Sequence, residues 1–85
     1  MSTWHVYILR CGDGSLYTGI SPDVEARLEA HRVGKGARYT RGRGPFELVY
    51  QESAGTQAEA TRREAAIKKL TRYEKLELIE SGIRS

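Results

Sequence analysis

Hydrophobic positions near the N-terminus fall into two short runs that are separated by glycine. Residues 4–10 (WHVYILR) and 15–20 (SLYTGI) are rich in Val, Ile, Tyr and Trp, a composition typical of β-strands. The intervening Gly12-Asp13-Gly14 predicts a three-residue turn, with Gly14 in the left-handed conformation that a side chain would resist. The pattern therefore predicts an antiparallel hairpin.

The register of this hairpin decides where its tyrosines point. If Cys11 faces Ser15, then Tyr7 lies opposite Gly19, and Tyr7 and Tyr17 emerge from the same face of the sheet within reach of one substrate. A register shifted by one residue would send the two tyrosines to opposite faces. We therefore expect the turn to bring these two hydroxyl groups together.

A helix start follows the hairpin directly. In Ser21-Pro22-Asp23 we expect Ser21 as the N-cap, Pro22 at the first helical position and Asp23 near the positive end of the helix dipole. The helix should run to about Val33, because Gly34 follows. Two apolar and two polar residues share the helical spacing of the face turned to the sheet: Val24, Arg27, Leu28 and His31.

The rest of the chain predicts one more strand and two more helices. A basic loop with several glycines, residues 34–45, precedes an apolar run at 46–51. Capping boxes at 56–59 and 71–74 open the two helices, the first of which carries Glu64 on the same side as its apolar residues. We expect an α/β (α+β) fold, a three-stranded antiparallel sheet flanked by three helices in the order β-β-α-β-α-α.

Length and composition limit the class of protein. With 85 residues the chain has room for one domain, which we expect to span residues 1–85 with its core at about 4–76. The lone Cys11 excludes an intramolecular disulfide, which favours a reducing compartment. No apolar run approaches the roughly 20 residues of a membrane span, so we expect a cytoplasmic protein without membrane contact.

Charge is concentrated in one stretch of the chain. The net charge is +3, but residues 27–43 hold six basic residues and one acidic residue. Such a cluster favours a nucleic-acid backbone as partner, although a solvated loop kept soluble by its charge is the ordinary alternative. The candidate nucleic-acid contacts are Lys35, Arg38, Tyr39, Arg41 and Arg43.

The motifs in this order resemble the GIY-YIG nuclease family, whose name describes two short triads. Here the triads are His5-Val6-Tyr7 and Tyr17-Thr18-Gly19, and the segments LYTGIS, VEARLEAH, GARYTRGR and RREAAIKKL lie where the small stand-alone bacterial members carry similar ones. The resemblance extends from residue 4 to about residue 76. The resemblance implies metal-dependent hydrolysis of DNA phosphodiester bonds, and DNA repair or recombination is the expected setting.

The resemblance also implies roles for individual residues. It points to Tyr7, Tyr17, Arg27 and His31 as catalytic residues and to Glu64 as the single metal-binding carboxylate, for Mg²⁺ or Mn²⁺. A lysine often follows the second triad in repair-type members, whereas this chain has Ile20-Ser21 there. No role is therefore carried over from that lysine.

The chemistry of the residues agrees with these roles. Arg27 offers a permanent planar donor for the charge that grows on the phosphoryl oxygens, and Tyr17 a hydrogen bond to the phosphate or to the attacking water. Glu64 suits hydrated Mg²⁺, which needs only one or two protein carboxylates. The base is Tyr7 or His31, and we favour Tyr7 with His31 relaying or positioning. Since tyrosine has a pKa of about 10, Tyr7 then needs nearby cations to lower it.

Each candidate also has an ordinary explanation, and two further functions compete with the nuclease. The tyrosines could simply pack in a strand, and Glu64 has Lys68 four positions on, which is typical of a surface ion pair.

The chain could bind DNA or RNA without cutting it, or its basic loop could meet an acidic protein. Because many family nucleases carry a separate domain that selects the target, specificity here would come from a protein partner or from DNA structure.

Overall fold

The computed structural model describes the backbone of residues 3–84 and the side chains of residues 3–82. Its strands are β1 (Trp4–Arg10), β2 (Leu16–Ser21) and β3 (Glu47–Gly55), and its helices are α1 (Val24–Arg32), α2 (Gln57–Lys68) and α3 (Arg72–Arg84), with a short 3₁₀ turn at Arg38–Thr40. This order confirms the predicted β-β-α-β-α-α fold. The single-domain prediction also includes residues 1, 2 and 85, which lie outside the described residues.

The three strands form one antiparallel sheet in the order β2-β1-β3, with β1 in the centre. The hairpin has the predicted register, since Tyr7 pairs with Gly19 and Leu9 with Tyr17. Gly14 has a φ of 85°, and the amide of Cys11 donates to the carbonyl of Ser15 over 2.8 Å. The turn thus brings both tyrosines to one face, as expected.

The two faces of β1 serve different clusters. Val6 and Ile8 point to an apolar cluster with α2 and α3, which buries Ala60, Ile67 and Ile79. On the other face, Tyr7 and Leu9 pack with Val24 of α1. The site described below lies on this second face, towards the edge strand β2.

The start of α1 differs from the prediction. Asp23, not Ser21, is the N-cap, because its carboxylate accepts a hydrogen bond from the amide of Ala26. Ser21 is still the last residue of β2, and its hydroxyl accepts from the amide of Asp23, so Pro22 precedes the helix instead of opening it. The physical reason is that pairing with β1 holds Ser21 in an extended conformation.

Strand β3 is longer than the predicted run at 46–51 and continues to Gly55. Its polar C-terminal half pairs with the start of β1, where Glu52 lies opposite Val6 and Ser53 opposite His5. Pairing with a central strand outweighs the low strand propensity of these residues. The capping boxes at 56–59 and 71–74 are both formed as predicted.

Candidate active site

The hairpin places Tyr7 and Tyr17 beside each other, with ring centroids 6.3 Å apart. Gly19, directly opposite Tyr7, makes this arrangement possible. A Cβ atom at position 19 would lie 2.6 Å from the Tyr7 hydroxyl oxygen and 3.0 Å from the Tyr17 ring. The glycine of the second triad therefore leaves the space that the Tyr7 side chain occupies.

Helix α1 adds its two polar residues to the same face. Arg27 is half-buried, and His31, one turn later, is 1% exposed. The His31 ring lies 5.3 Å from that of Tyr17 and 6.0 Å from that of Tyr7, centroid to centroid. The helical spacing read from the sequence thus delivers both side chains to the tyrosine pair.

A chain of hydrogen bonds fixes the tautomer of His31. The Thr40 hydroxyl donates to the carbonyl of Ala37 over 2.8 Å, so its oxygen can only accept from His31 Nδ1, which is also 2.8 Å away. Neutral His31 then carries its proton on Nδ1 and accepts on Nε2. The Tyr7 hydroxyl, 2.8 Å from Nε2, is the donor.

The pKa of Tyr7 does not shift in the expected direction. Burial raises the pKa of Tyr7 to about 12, and electrostatic repulsion from the ionised forms of Tyr17 and Glu64 contributes to the rise. Arg27 opposes the rise only in part, through a hydrogen bond and its positive charge. The lowering by nearby cations that a Tyr7 base needs is therefore not achieved, because loss of hydration outweighs a single guanidinium. The same burial, followed by the charge of Arg27, lowers the pKa of His31, which favours its neutral form.

Gly36 supports His31 from the basic loop. A Cβ atom at position 36 would collide with the imidazole, at Nδ1 first. The loop backbone therefore lies directly against the ring, and Thr40 holds its Nδ1 from the same loop. The basic loop thus also supports the His31 ring.

Glu64, on α2, is close enough for its negative charge to contribute to the raised pKa of Tyr7. Its side chain is 21% exposed, and its Oε2 lies 3.5 Å from Lys68 Nζ. The ion pair considered from the sequence is therefore formed. Within residues 3–82, no group of three or more His, Cys, Asp or Glu side chains could hold a metal. A single half-buried carboxylate nevertheless fits Mg²⁺ or Mn²⁺, which keep most of their water ligands.

The predicted nucleic-acid contacts divide into two groups. Tyr39 stacks on Tyr17 with centroids 5.9 Å apart, and Arg43 lies over the Tyr39 ring while pairing with Asp13 of the hairpin turn. These two residues hold the loop against the hairpin. The other three side chains are exposed and have no ion pair or hydrogen bond with residues 3–82: Lys35, Arg38 and Arg41.

Sequence reasoning missed Thr40 and Gly36. Both lie within GARYTRGR, which we read for its positive charge. A threonine and a glycine in a loop carry no chemical signal until the fold brings His31 against them. The 2.8 Å hydrogen bond between Thr40 and His31, and the close approach of Gly36 to the same ring, form only when the loop packs on α1.

Comparison with known proteins identifies the class that this fold and site define. A family model described as the GIY-YIG catalytic domain matches residues 3–77, and the chain belongs to the GIY-YIG family. The resemblance read from the two triads is thereby confirmed. None of the helices within residues 3–84 has the length and apolar character needed to cross a membrane.

The relatives are small bacterial proteins named UPF0213. One from Oceanobacillus iheyensis is 57% identical over 76 residues, covering 89% of this chain and 88% of that protein. One from Staphylococcus epidermidis is 54% identical over 82 residues, covering 96% and 100%.

Two solution NMR structures share the fold. A UPF0213 protein from Bacillus halodurans has a TM-score of 0.59 and 49% identity, and the match covers 92% of this chain and 83% of that one. A protein from E. faecalis has a TM-score of 0.65 and 39% identity, covering 100% and 90%.

Proposed function

We propose that this protein is a single-domain, metal-dependent endonuclease that hydrolyses phosphodiester bonds in DNA. The observation that carries the proposal is the convergence of Tyr17, Arg27 and Glu64 on the hydrogen-bonded pair of Tyr7 and His31. A cation, a carboxylate and a proton-transfer pair are the groups that phosphodiester hydrolysis requires.

Arg27 and Tyr17 are the residues that meet the phosphate. Tyr7 is only 1% exposed, whereas Tyr17, Arg27 and Glu64 are half-buried and therefore open to a substrate. We assign Arg27 to the charge that develops on the phosphoryl oxygens and Tyr17 to a hydrogen bond with the phosphate.

Tyr7 and His31 form the proton path. The attacking water gives its proton to the Tyr7 oxygen while the hydroxyl proton of Tyr7 moves to His31 Nε2. Thr40 accepts from Nδ1 throughout and stabilises the imidazolium that results. This transfer explains how a tyrosine with a raised pKa can serve as a base, because no free phenolate needs to form.

Glu64 is the residue that would hold the divalent cation, Mg²⁺ or Mn²⁺. When bound, the cation supplies positive charge for the phosphate and the leaving oxygen. Lys68, 3.5 Å from the same carboxylate, would help to orient it.

Lys35, Arg38 and Arg41 supply contacts with phosphates beyond the scissile one. Such contacts position DNA without reading its sequence, so we assign specificity to DNA structure or to a protein partner. DNA repair or recombination in the cytoplasm is the setting that these assignments favour.

A cleavage assay tests the proposal. Labelled duplex, nicked, flap, junction and single-stranded DNA are incubated with Mg²⁺ or Mn²⁺ and the wild type, Glu64→Ala or Arg27→Ala. We expect metal-dependent cutting that each substitution slows by about 10²–10³-fold, the loss typical of a removed charge-stabilising group. Glu77→Ala and Arg62→Ala, exposed positions of the same charge on α3 and α2, are the controls.

A second candidate is a nucleic-acid-binding module that does not cut. It is favoured by Lys35, Arg38 and Arg41, whose exposed side chains need no active site to bind phosphates. Binding by the wild type without cleavage above that of Glu64→Ala would establish this function and refute the nuclease.

A further inference from the structure

Two adjoining hollows lie between the hairpin, Tyr39 and the helices α2 and α3. The first has a volume of about 250 Å³ and is lined by Leu16, Tyr17, Thr18, Tyr39, Lys68 and Lys75. The second, about 210 Å³, shares Leu16, Tyr39 and Lys75 and adds Ser15 and Arg72. Tyr17 connects the first hollow to the active site, because its ring also lies 5.3 Å from that of His31.

The charged side chains that line these hollows are all positive. Three cations from α2 and α3 line them, and no Asp or Glu among the described residues does. Arg72 uses one N–H group to donate to the carbonyl of Gly14 over 2.9 Å, which leaves most of its donors available. Among the residues that the structure describes, Lys68 pairs only with Glu64, at 3.5 Å.

Lys75 is the charged residue that both hollows share. It is half-buried, yet its side chain forms no ion pair or hydrogen bond with the described residues. An ammonium group without a counter-charge is stabilised by an anion that binds beside it. Its position between the hollows favours an extended anion over a single small one.

From this arrangement we infer that the hollows form a second phosphate-binding site, in which Lys75 and Lys68 bind the backbone of the substrate strand next to the scissile phosphate. The inference rests on the proposed function and deepens it, because it gives the nucleic acid a path from the basic loop across Tyr17 to α3. The apolar floor at Leu16 and the tyrosine rings suit the sugar and base of the same nucleotide.

Equilibrium binding without divalent metal tests this site apart from cleavage. A labelled DNA duplex and its single strand are titrated with wild type, Lys75→Gln and Lys69→Gln in EDTA at several salt concentrations. Lys69 is the matched control, since it is an exposed lysine next to Lys68 that lines neither hollow. We expect Lys75→Gln to raise Kd by about fivefold to tenfold and to reduce the salt slope by about 0.7–0.9, the loss of one phosphate contact.

The outcomes separate this site from the nuclease activity. The inference is overturned if Lys75→Gln and Lys69→Gln are as stable as wild type and have the same Kd and salt slope as each other. It is also overturned if the wild type binds neither the duplex nor the single strand. Binding that depends on Lys75 in a wild type that never cuts would leave this site standing and refute the nuclease. If the wild type cuts in a metal-dependent way but its DNA binding does not depend on Lys75, the nuclease stands and the second phosphate-binding site is refuted.

Discussion

The two faces of the central strand bury different kinds of side chain. The face towards α2 and α3 packs aliphatic side chains such as Ile8, Ile67 and Ile79, whereas the face towards α1 buries Tyr7 and His31 in a hydrogen-bonded chain. Apolar burial is non-directional, but a buried polar chain is stable only when each group finds its partner. The first face therefore stabilises the fold by apolar packing, and the second holds polar groups in fixed positions.

The largest loss of stability is expected when the apolar face alone is weakened. Ile79→Ala should lower the free energy of unfolding by about 2–5 kcal/mol, the usual cost of such a cavity, because Ile79 is 5% exposed. Urea denaturation measures the loss, and Leu76→Ala, on the same helix and 36% exposed, should cost much less. Ile79→Val, with a cost of about 0.5–1.5 kcal/mol, provides a folded variant whose cleavage rate should match wild type.

On the polar face, Thr40→Val should cost less stability but alter the chemistry. It keeps the shape of the side chain and removes the hydroxyl that accepts from His31 Nδ1 and donates to Ala37. We expect a loss of about 1–3 kcal/mol from the unpaired groups and a fall in kcat of about tenfold or more. Nitrogen NMR of the imidazole should report a changed tautomer in this variant.

Rescue decides whether Thr40 acts through its hydroxyl. Thr40→Ser retains that group and should restore both the tautomer and most of kcat. If Thr40→Val keeps the wild-type tautomer and rate, the hydrogen-bonded chain has no part in positioning His31.

The smallest effect is a pH dependence from His31. Burial and Arg27 hold the pKa of His31 below its usual value of about 6.5, so the unfolded chain binds a proton that the folded chain does not. The resulting stabilisation is fully present above pH ~6.5 and is lost as the pH falls through the lower, folded pKa. Urea denaturation at a series of pH values should show this loss in wild type and a weaker one in His31→Gln.

Local patterns predicted most of the fold. The hairpin register follows from a short glycine turn, and the helix starts at Thr56 and Thr71 follow from residues three positions apart. The wrong details are those that distant residues decide. Ser21 stays in β2 because β1 pairs with it, and β3 reaches Gly55 because the start of β1 needs a partner.

The candidate site shows the same limit. Spacing on the hairpin and on α1 was enough to bring Tyr7, Tyr17, Arg27 and His31 together. The direction of the Tyr7 pKa shift depends on how much water packing removes, which no spacing reveals. Thr40 is found only when the loop folds back onto His31.

The central claim is that Tyr7 passes a proton to His31 during cleavage. Its most direct test is the single-turnover cleavage rate of Tyr7→Phe with saturating DNA and Mg²⁺, with folding and DNA affinity measured on the same samples. We predict a rate lower by about 10²–10⁴-fold at unchanged Kd, the size of a lost general base. A folded Tyr7→Phe variant that cuts within a few-fold of the wild-type rate would contradict the account.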